Sequence, residues 1–104
     1  MPPVRASTLR ESLRQALLSG SATARDLSRI VGIPERSVPA HLEHLARSLR
    51  PKGERLEIEP SECLDCDTSF AKRERYTRPG RCPRCHSRRI SLPRFFIKAR
   101  DRDR

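Results

Sequence analysis

Four cysteines fall in two pairs, Cys63-Leu-Asp-Cys66 and Cys82-Pro-Arg-Cys85, with fifteen residues between the pairs. This is the spacing of a four-thiolate zinc site. Two residues between cysteines let one tight turn aim both sulfurs at the same ion, and two such knuckles complete a tetrahedron. Four protein ligands leave no open position for water or substrate, so the expected metal is a single structural Zn2+ held by Cys63, Cys66, Cys82 and Cys85. Iron fits the same cage and would make it a redox centre. Pairing the thiols as two disulfides needs an oxidising compartment. Cys82-Pro-Arg-Cys85-His86 also fits the short pattern for haem attachment, but that leaves Cys63 and Cys66 unexplained and no export signal accompanies it. His86 is expected at the surface, just past its knuckle.

A metal is also what the rest of the composition calls for. The chain has 104 residues, enough for one ordinary domain or two small modules, and only 35% of them are hydrophobic, with one Tyr, three Phe and no Trp. So small an apolar stock predicts a modest core that needs a staple. About thirty residues around the cysteines cannot bury enough surface alone, and metal binding should supply much of their folding free energy.

Charge narrows the partners. Lys and Arg number 23 against 13 acidic residues, a formal net charge of +10. Residues 1–60 carry +3 of this and residues 61–104 carry +7. No apolar stretch is long enough for a transmembrane helix, so no membrane partner is expected. The opening from Met1 to Leu13 lacks the apolar region of a secretory signal, which predicts a cytoplasmic protein with reduced thiols. No paired carboxylates, glycine-rich phosphate loop or His with a nucleophile partner suggest catalysis, so an enzyme is not expected.

The first sixty residues must supply the scaffold. Thr8-Leu9-Arg10-Glu11 has capping-box spacing, and Leu9, Leu13, Ala16 and Leu17 share one helical face, with Gly20 as a permissive stop. A second helix is predicted from about Thr23 to Val31, with Leu27, Ile30 and Val31 inward, Asp26 in its first turn and Gly32 ending it. Val38, Leu42, Leu45 and Leu49 form the stripe of a third helix. It should begin near Ser37, after an irregular Pro34-Glu35-Arg36 turn, because Pro39 is tolerated only in a first turn. Leu56 and Ile58 alternate with Glu57 and Glu59 as a half-buried strand, and Phe95-Phe96-Ile97 is the other strand candidate. Strands flanking the cysteine segment can pair as the legs of one long hairpin. The predicted division is therefore 1–60 with a returning strand at about 93–98, a ribbon at 61–92, and a charged tail at 99–104.

Helix, break, helix is the pattern of a helix-turn-helix. With the apolar stripe inward, Arg36, Ser37, Ala40, His41, His44 and Arg47 face out, and residues near the start of such a helix reach base edges in a major groove. Glu35 and Glu43 leave this helix near neutral. Phosphate attraction would then come from the cysteine region, where Arg73, Arg75, Arg84 and Arg88 stand among other cations. Duplex DNA is the expected partner. The alternative is a protein-interaction adaptor docking on transcription or translation machinery, which the neutral helix and Pro39 favour.

Arg29-Ile-Val-Gly-Ile33 followed by Val38, Leu42 and Leu45 resembles the helix-turn-helix of winged-helix regulators. Cys63-Leu-Asp-Cys66-Asp-Thr-Ser-Phe70 with Arg81-Cys-Pro-Arg-Cys85-His-Ser87 resembles a rubredoxin-type zinc ribbon. Their order, closed by Pro93-Arg94-Phe95, is similar to a small prokaryotic family of predicted transcriptional regulators that fuse a winged helix-turn-helix to a zinc ribbon within the wing. The resemblance runs from about Thr8 to Lys98. It implies an α+β fold, a three-helix winged helix-turn-helix with a β-wing extended by the four-cysteine ribbon, and a DNA-binding regulatory role. Glycine is common after the second cysteine of each knuckle in such ribbons, because that position often needs a positive φ. Asp67 and His86 stand there instead, and both residue types tolerate that conformation better than most.

Overall fold

The structure, a computed structural model, describes residues 6–70 and 76–99, with side chains from residue 9 onward. It is a mixed α+β fold. Among the described residues, helices α1 (Ala6–Ser19), α2 (Ala24–Val31) and α3 (Val38–Leu49) pack with strands β1 (Ala22–Thr23), β2 (Glu54–Glu59) and β3 (Arg94–Ala99). The sheet is antiparallel with β3 in the middle, in the order β1-β3-β2.

Helix α1 buries Leu9, Leu13 and Leu17, with Ala16 at the margin of the core, as its periodicity predicts. It already includes Ala6 and Ser7, so Thr8 lies within the helix and the capping box expected at Thr8–Glu11 does not mark its start. Gly20 follows α1 without adopting a positive φ. The capping box instead opens α2. The Thr23 hydroxyl accepts from the Asp26 backbone N–H (3.1 Å), and the Asp26 carboxylate accepts from the Thr23 backbone N–H (3.0 Å). This reciprocal pairing satisfies two otherwise orphaned donors and holds the Asp26 carboxyl below its ordinary range. Gly32 ends α2 in the left-handed region (φ 74°), with its N–H donating to the Ser28 carbonyl at 2.9 Å.

Only Leu27 of α2 is fully buried; Val31 packs at the edge of the core, and Ile30 is 61% exposed. The expectation of an inward Ile30 is thus corrected. On so short a helix, Leu27 fills the space against α1 and α3, and the inward side at the C-terminal end is taken by Val31 and Ile33. Helix α3 follows a 3-10 turn at Glu35–Ser37, places Pro39 in its first turn and buries Val38, Leu42, Leu45 and Leu49.

Strands β2 and β3 pair from Glu54↔Ala99 to Glu59↔Arg94, so the cysteine segment leaves one end of a two-legged hairpin. Phe95 and Ile97 alternate into the core, where Leu56 and Ile58 of β2 also pack. The Arg14 guanidinium clamps the Glu54 carboxylate through two bonds (Nε at 2.9 Å, Nη2 at 2.7 Å), tying α1 to β2. Arg94 bonds the Ser21 hydroxyl and carbonyl, both at 3.0 Å, tying β3 to the α1–α2 connection. Residue 99, placed in the charged tail by sequence, belongs to β3, and residues 100–104 lie outside the described residues.

Candidate metal centre

A second buried cluster forms at the far end of the hairpin, from Cys63, Cys82 and Ile90 with Cys66 and Phe70 packed against it. Two matched knuckles build it. In each, the first cysteine's N–H donates to the carbonyl of the residue five positions on: Cys63 to Thr68 and Cys82 to Ser87, both at 2.8 Å. In each, the residue after the second cysteine donates back to the first: Asp67 to the Cys63 carbonyl (2.9 Å) and His86 to the Cys82 carbonyl (2.8 Å). Closing that turn puts Asp67 at φ 63° and His86 at φ 65°, the positive-φ non-glycine residues among those described. These are the two positions where the resemblance to zinc ribbons implies that conformation. His86 is exposed and stands outside the group of four thiols.

The knuckles bring Cys63, Cys66, Cys82 and Cys85 together, with all four sulfurs within 4.8 Å of one another. Across the knuckles, Cys63 and Cys85 lie 3.4 Å apart and Cys66 and Cys82 3.6 Å apart. Four sulfurs each about 2.3 Å from a tetrahedral ion would be about 3.8 Å apart, so the cage fits a metal ion of that kind. The donor chemistry fits as well, because four soft thiols with no competing carboxylate suit a thiophilic ion.

The electrostatics show what a cation would relieve. The Thr68 hydroxyl, 3.0 Å from the Cys66 sulfur, and the Thr68 backbone N–H pull the Cys66 thiol down to about 6. Backbone N–H groups of Cys85 and Arg84 lower Cys82. The Ser87 N–H pulls Cys85 the same way, but Cys63, desolvation and the other two cysteines outweigh it and push Cys85 up to about 12. Crowded thiols resist successive ionisation, and a divalent ion removes that resistance by binding them all as thiolates.

A clasp missed by sequence reasoning locks one knuckle to the other. The Asp65 carboxylate accepts from the Ser87 hydroxyl and from Arg89 Nη1, the latter at 2.8 Å. The doubled pattern extends past the cysteines to a hydroxyl residue, Cys63-x-x-Cys66-x-Thr68 and Cys82-x-x-Cys85-x-Ser87, but nothing in it marks Asp65 or Arg89.

The nucleic-acid candidates are more dispersed. Arg36, Ala40, His44 and Arg47 are exposed, along the 3-10 turn and the outer face of α3. Ser37 and His41 are half-buried, and the Ser37 hydroxyl donates to the Pro34 carbonyl at 2.8 Å. Arg84 and Arg88 are exposed beside the knuckles, while Arg73 and Arg75 lie outside the described residues.

Residues 8–56 match the family described as PF0610-like, N-terminal. The chain is also similar to protein PF0610 from Pyrococcus furiosus, solved by solution NMR, at 27% identity and a TM-score of 0.80. That likeness covers 96% of this chain and 97% of the other, so it extends beyond the helices through the cysteine segment. No curated protein matches the chain. No helix among the described residues is long and apolar enough to cross a membrane.

Proposed function

We propose that this chain is a DNA-binding transcriptional regulator, a winged helix-turn-helix whose wing carries a structural zinc ribbon. One arrangement carries the reading. Helices α2 and α3, joined across Gly32, lead into the β2–β3 hairpin, whose end carries the cysteine segment, and Tyr76 and Thr77 of that segment line a cleft with Pro39, Glu43 and Arg47 of α3. Arg36, Ala40, His44 and Arg47 would meet base edges in a major groove, as the start and outer face of a recognition helix do. The exposed Arg84 and Arg88, with Arg73 and Arg75, would hold phosphates and set the register.

Residues 1–60 and the returning strand form the DNA-contacting unit in this reading, and 61–92 form the ribbon. The four thiolates would hold one Zn2+, which supplies no reacting position and serves to fix the knuckles. Iron is the substitute the same ligands accept. No catalytic step is assigned. Four thiols kept reduced for a metal would suit a cytoplasmic protein, which supports that location in this reading.

The test is a fluorescence-anisotropy titration of zinc-loaded protein with duplex DNA across a salt series. Binding that weakens linearly in log–log form with salt is expected, since released counterions drive it. Absence of binding at low salt sinks the proposal. Two observations favour a second reading, a protein-interaction adaptor. Glu43 is exposed beside Arg47 on α3, and Leu64, at the tip of the first knuckle, is 56% exposed. A stoichiometric protein partner that survives nuclease treatment would raise that reading above the first.

A further inference from the structure

Tyr76 belongs to the cysteine segment by sequence but to the helical core by contact. Its ring is half-buried against the main core and meets Phe95 edge-on, with centroids 5.8 Å apart and planes at 67°. With Thr77 it forms the wall shared by two clefts, one along α3 and one over the 3-10 turn that precedes it. One, of about 490 Å³, is bounded by Pro39, Glu43, Arg47 and Arg50. The other, of about 480 Å³, is bounded by Arg36, Pro39 and Arg78. Glu43 and Arg50 also lie within electrostatic reach of the phenol. The Tyr76 strap therefore separates a cleft along α3 from one over the 3-10 turn at its start.

The same strap is anchored at the cysteines. Cys82 is six residues after Tyr76, and Pro79 between them is buried. Arg78 Nη1 donates to the Ile90 carbonyl at 3.3 Å, and Ile90 bridges the backbone of Cys63. One short run of chain thus touches both knuckles at one end and α3 with Phe95 at the other.

We propose that Tyr76 is a positioning residue that carries the occupancy of the four-thiolate site to the exposed face of α3. The small cluster around the cysteines holds its shape through the ion, so metal loss frees the backbone of Cys63, Cys82 and Ile90. Arg78 then loses its fixed acceptor, the strap lifts from Phe95, and the cleft along α3 merges with the one over the 3-10 turn. Coupling of this kind requires an element with two arrangements that both sites bias, and the strap would be that element, seated on Phe95 with the site filled and released with it empty. The inference rests on the metal reading above and is independent of DNA.

The test is NMR of the full-length chain as zinc is titrated in and then removed by chelation, with zinc content measured first. Zinc uptake should produce a Tyr76–Phe95 ring–ring NOE that disappears on chelation. Amide shifts at Glu43, Ala46 and Arg50 should change with it, while core contacts of Leu42 and Leu45 persist. Tyr76→Ala should still take up zinc, with affinity weakened because the coupling is reciprocal, and should lose the α3 response, and Tyr76→Phe should restore both. Failure to take up zinc overturns the metal reading and the coupling together. Zinc uptake with a persistent NOE in the stripped protein, an unresponsive α3, or a full response in Tyr76→Ala overturns the coupling alone. If Tyr76→Ala does not fold, the wild-type NOE and shift titration decides.

Discussion

Phe95 and Phe96 are neighbours in β3 with opposite fates, and replacing each by Ala tests the hairpin register directly. Phe95 is fully buried, stands opposite Ile58 and Ala22, and takes the edge of Tyr76, whereas Phe96 is half-buried opposite Glu57. Truncating a buried Phe to Ala costs about 3–5 kcal/mol, part of it from the cavity left behind. The edge contact with Tyr76 adds roughly 0.5–1.5 kcal/mol. Domains of this kind hold only about 5–15 kcal/mol in total, so Phe95→Ala should stand close to unfolding. Phe95→Leu, which keeps most of the volume, should cost about 1–2 kcal/mol. Phe96→Ala gives up half of one ring's burial, about 1 kcal/mol. The assay is urea unfolding of the zinc-loaded variants followed by far-ultraviolet circular dichroism. A one-residue slip would exchange the faces of the two rings. Equal losses, or a larger loss at Phe96, would therefore refute the pairing of Ile58 with Phe95.

Four further outcomes follow from the same contacts. Chelation, or Cys82→Ser, should remove amide protection from residues 61–92 while α1–α3 remain protected in hydrogen exchange; ribbon amides that stay protected without metal would contradict a structural ion, and helices that melt with the ribbon would make the chain one cooperative unit. Asp26 is ionised above its ordinary value of 3.8 and is held lower still by Thr23, so its stabilisation is present above that value and lost as pH falls through the lowered folded one; Asp26→Ala should cost about 1 kcal/mol at neutral pH and flatten that part of an acid-unfolding curve. Asp67→Val should cost on the order of 1–2 kcal/mol and weaken zinc uptake, because a β-branched residue strains the positive φ, while Asp67→Gly should be close to neutral, as zinc competition would show. Arg88→Ala should lower the log–log salt slope of DNA binding by about 1 without changing sequence preference, whereas Arg47→Ala should relax the preference itself.

What could be read from the residues was whatever repeats at a fixed period or spacing. The α1 and α3 stripes and the two knuckles follow from local geometry that recurs in sequence, and the positive φ at Asp67 and His86 was implied by the resemblance to zinc ribbons. The hairpin followed from alternation at Leu56 and Ile58 and from the run Phe95-Phe96-Ile97. Features closed by distant partners were not legible. Strand β1 is two residues long, too short to alternate, and exists because β3 offers Arg94 and Phe95 a place to pair. The Asp65–Ser87–Arg89 clasp joins residues 22 and 24 positions apart with no periodicity between them. Ile30 was misplaced because an eight-residue helix has a short inward stripe, and Val31 and Ile33 fill its end. Tyr76, isolated in an arginine-rich stretch, gave no sign that it would seat on Phe95. Of the residues expected to face out along the third helix, Arg36, Ala40, His44 and Arg47 are exposed, but Ser37 and His41 are half-buried, and the Ser37 hydroxyl turns onto Pro34.

The central claim is that this metal-organised fold reads duplex DNA. Its most direct test is selection of binding sites from a pool of random duplexes by the zinc-loaded protein, read by sequencing over successive rounds. The account predicts enrichment of a short motif, with enrichment weakened in Arg47→Ala and lost after the metal is stripped. A pool that stays unenriched at low salt, while the protein holds its zinc and remains folded, would contradict it.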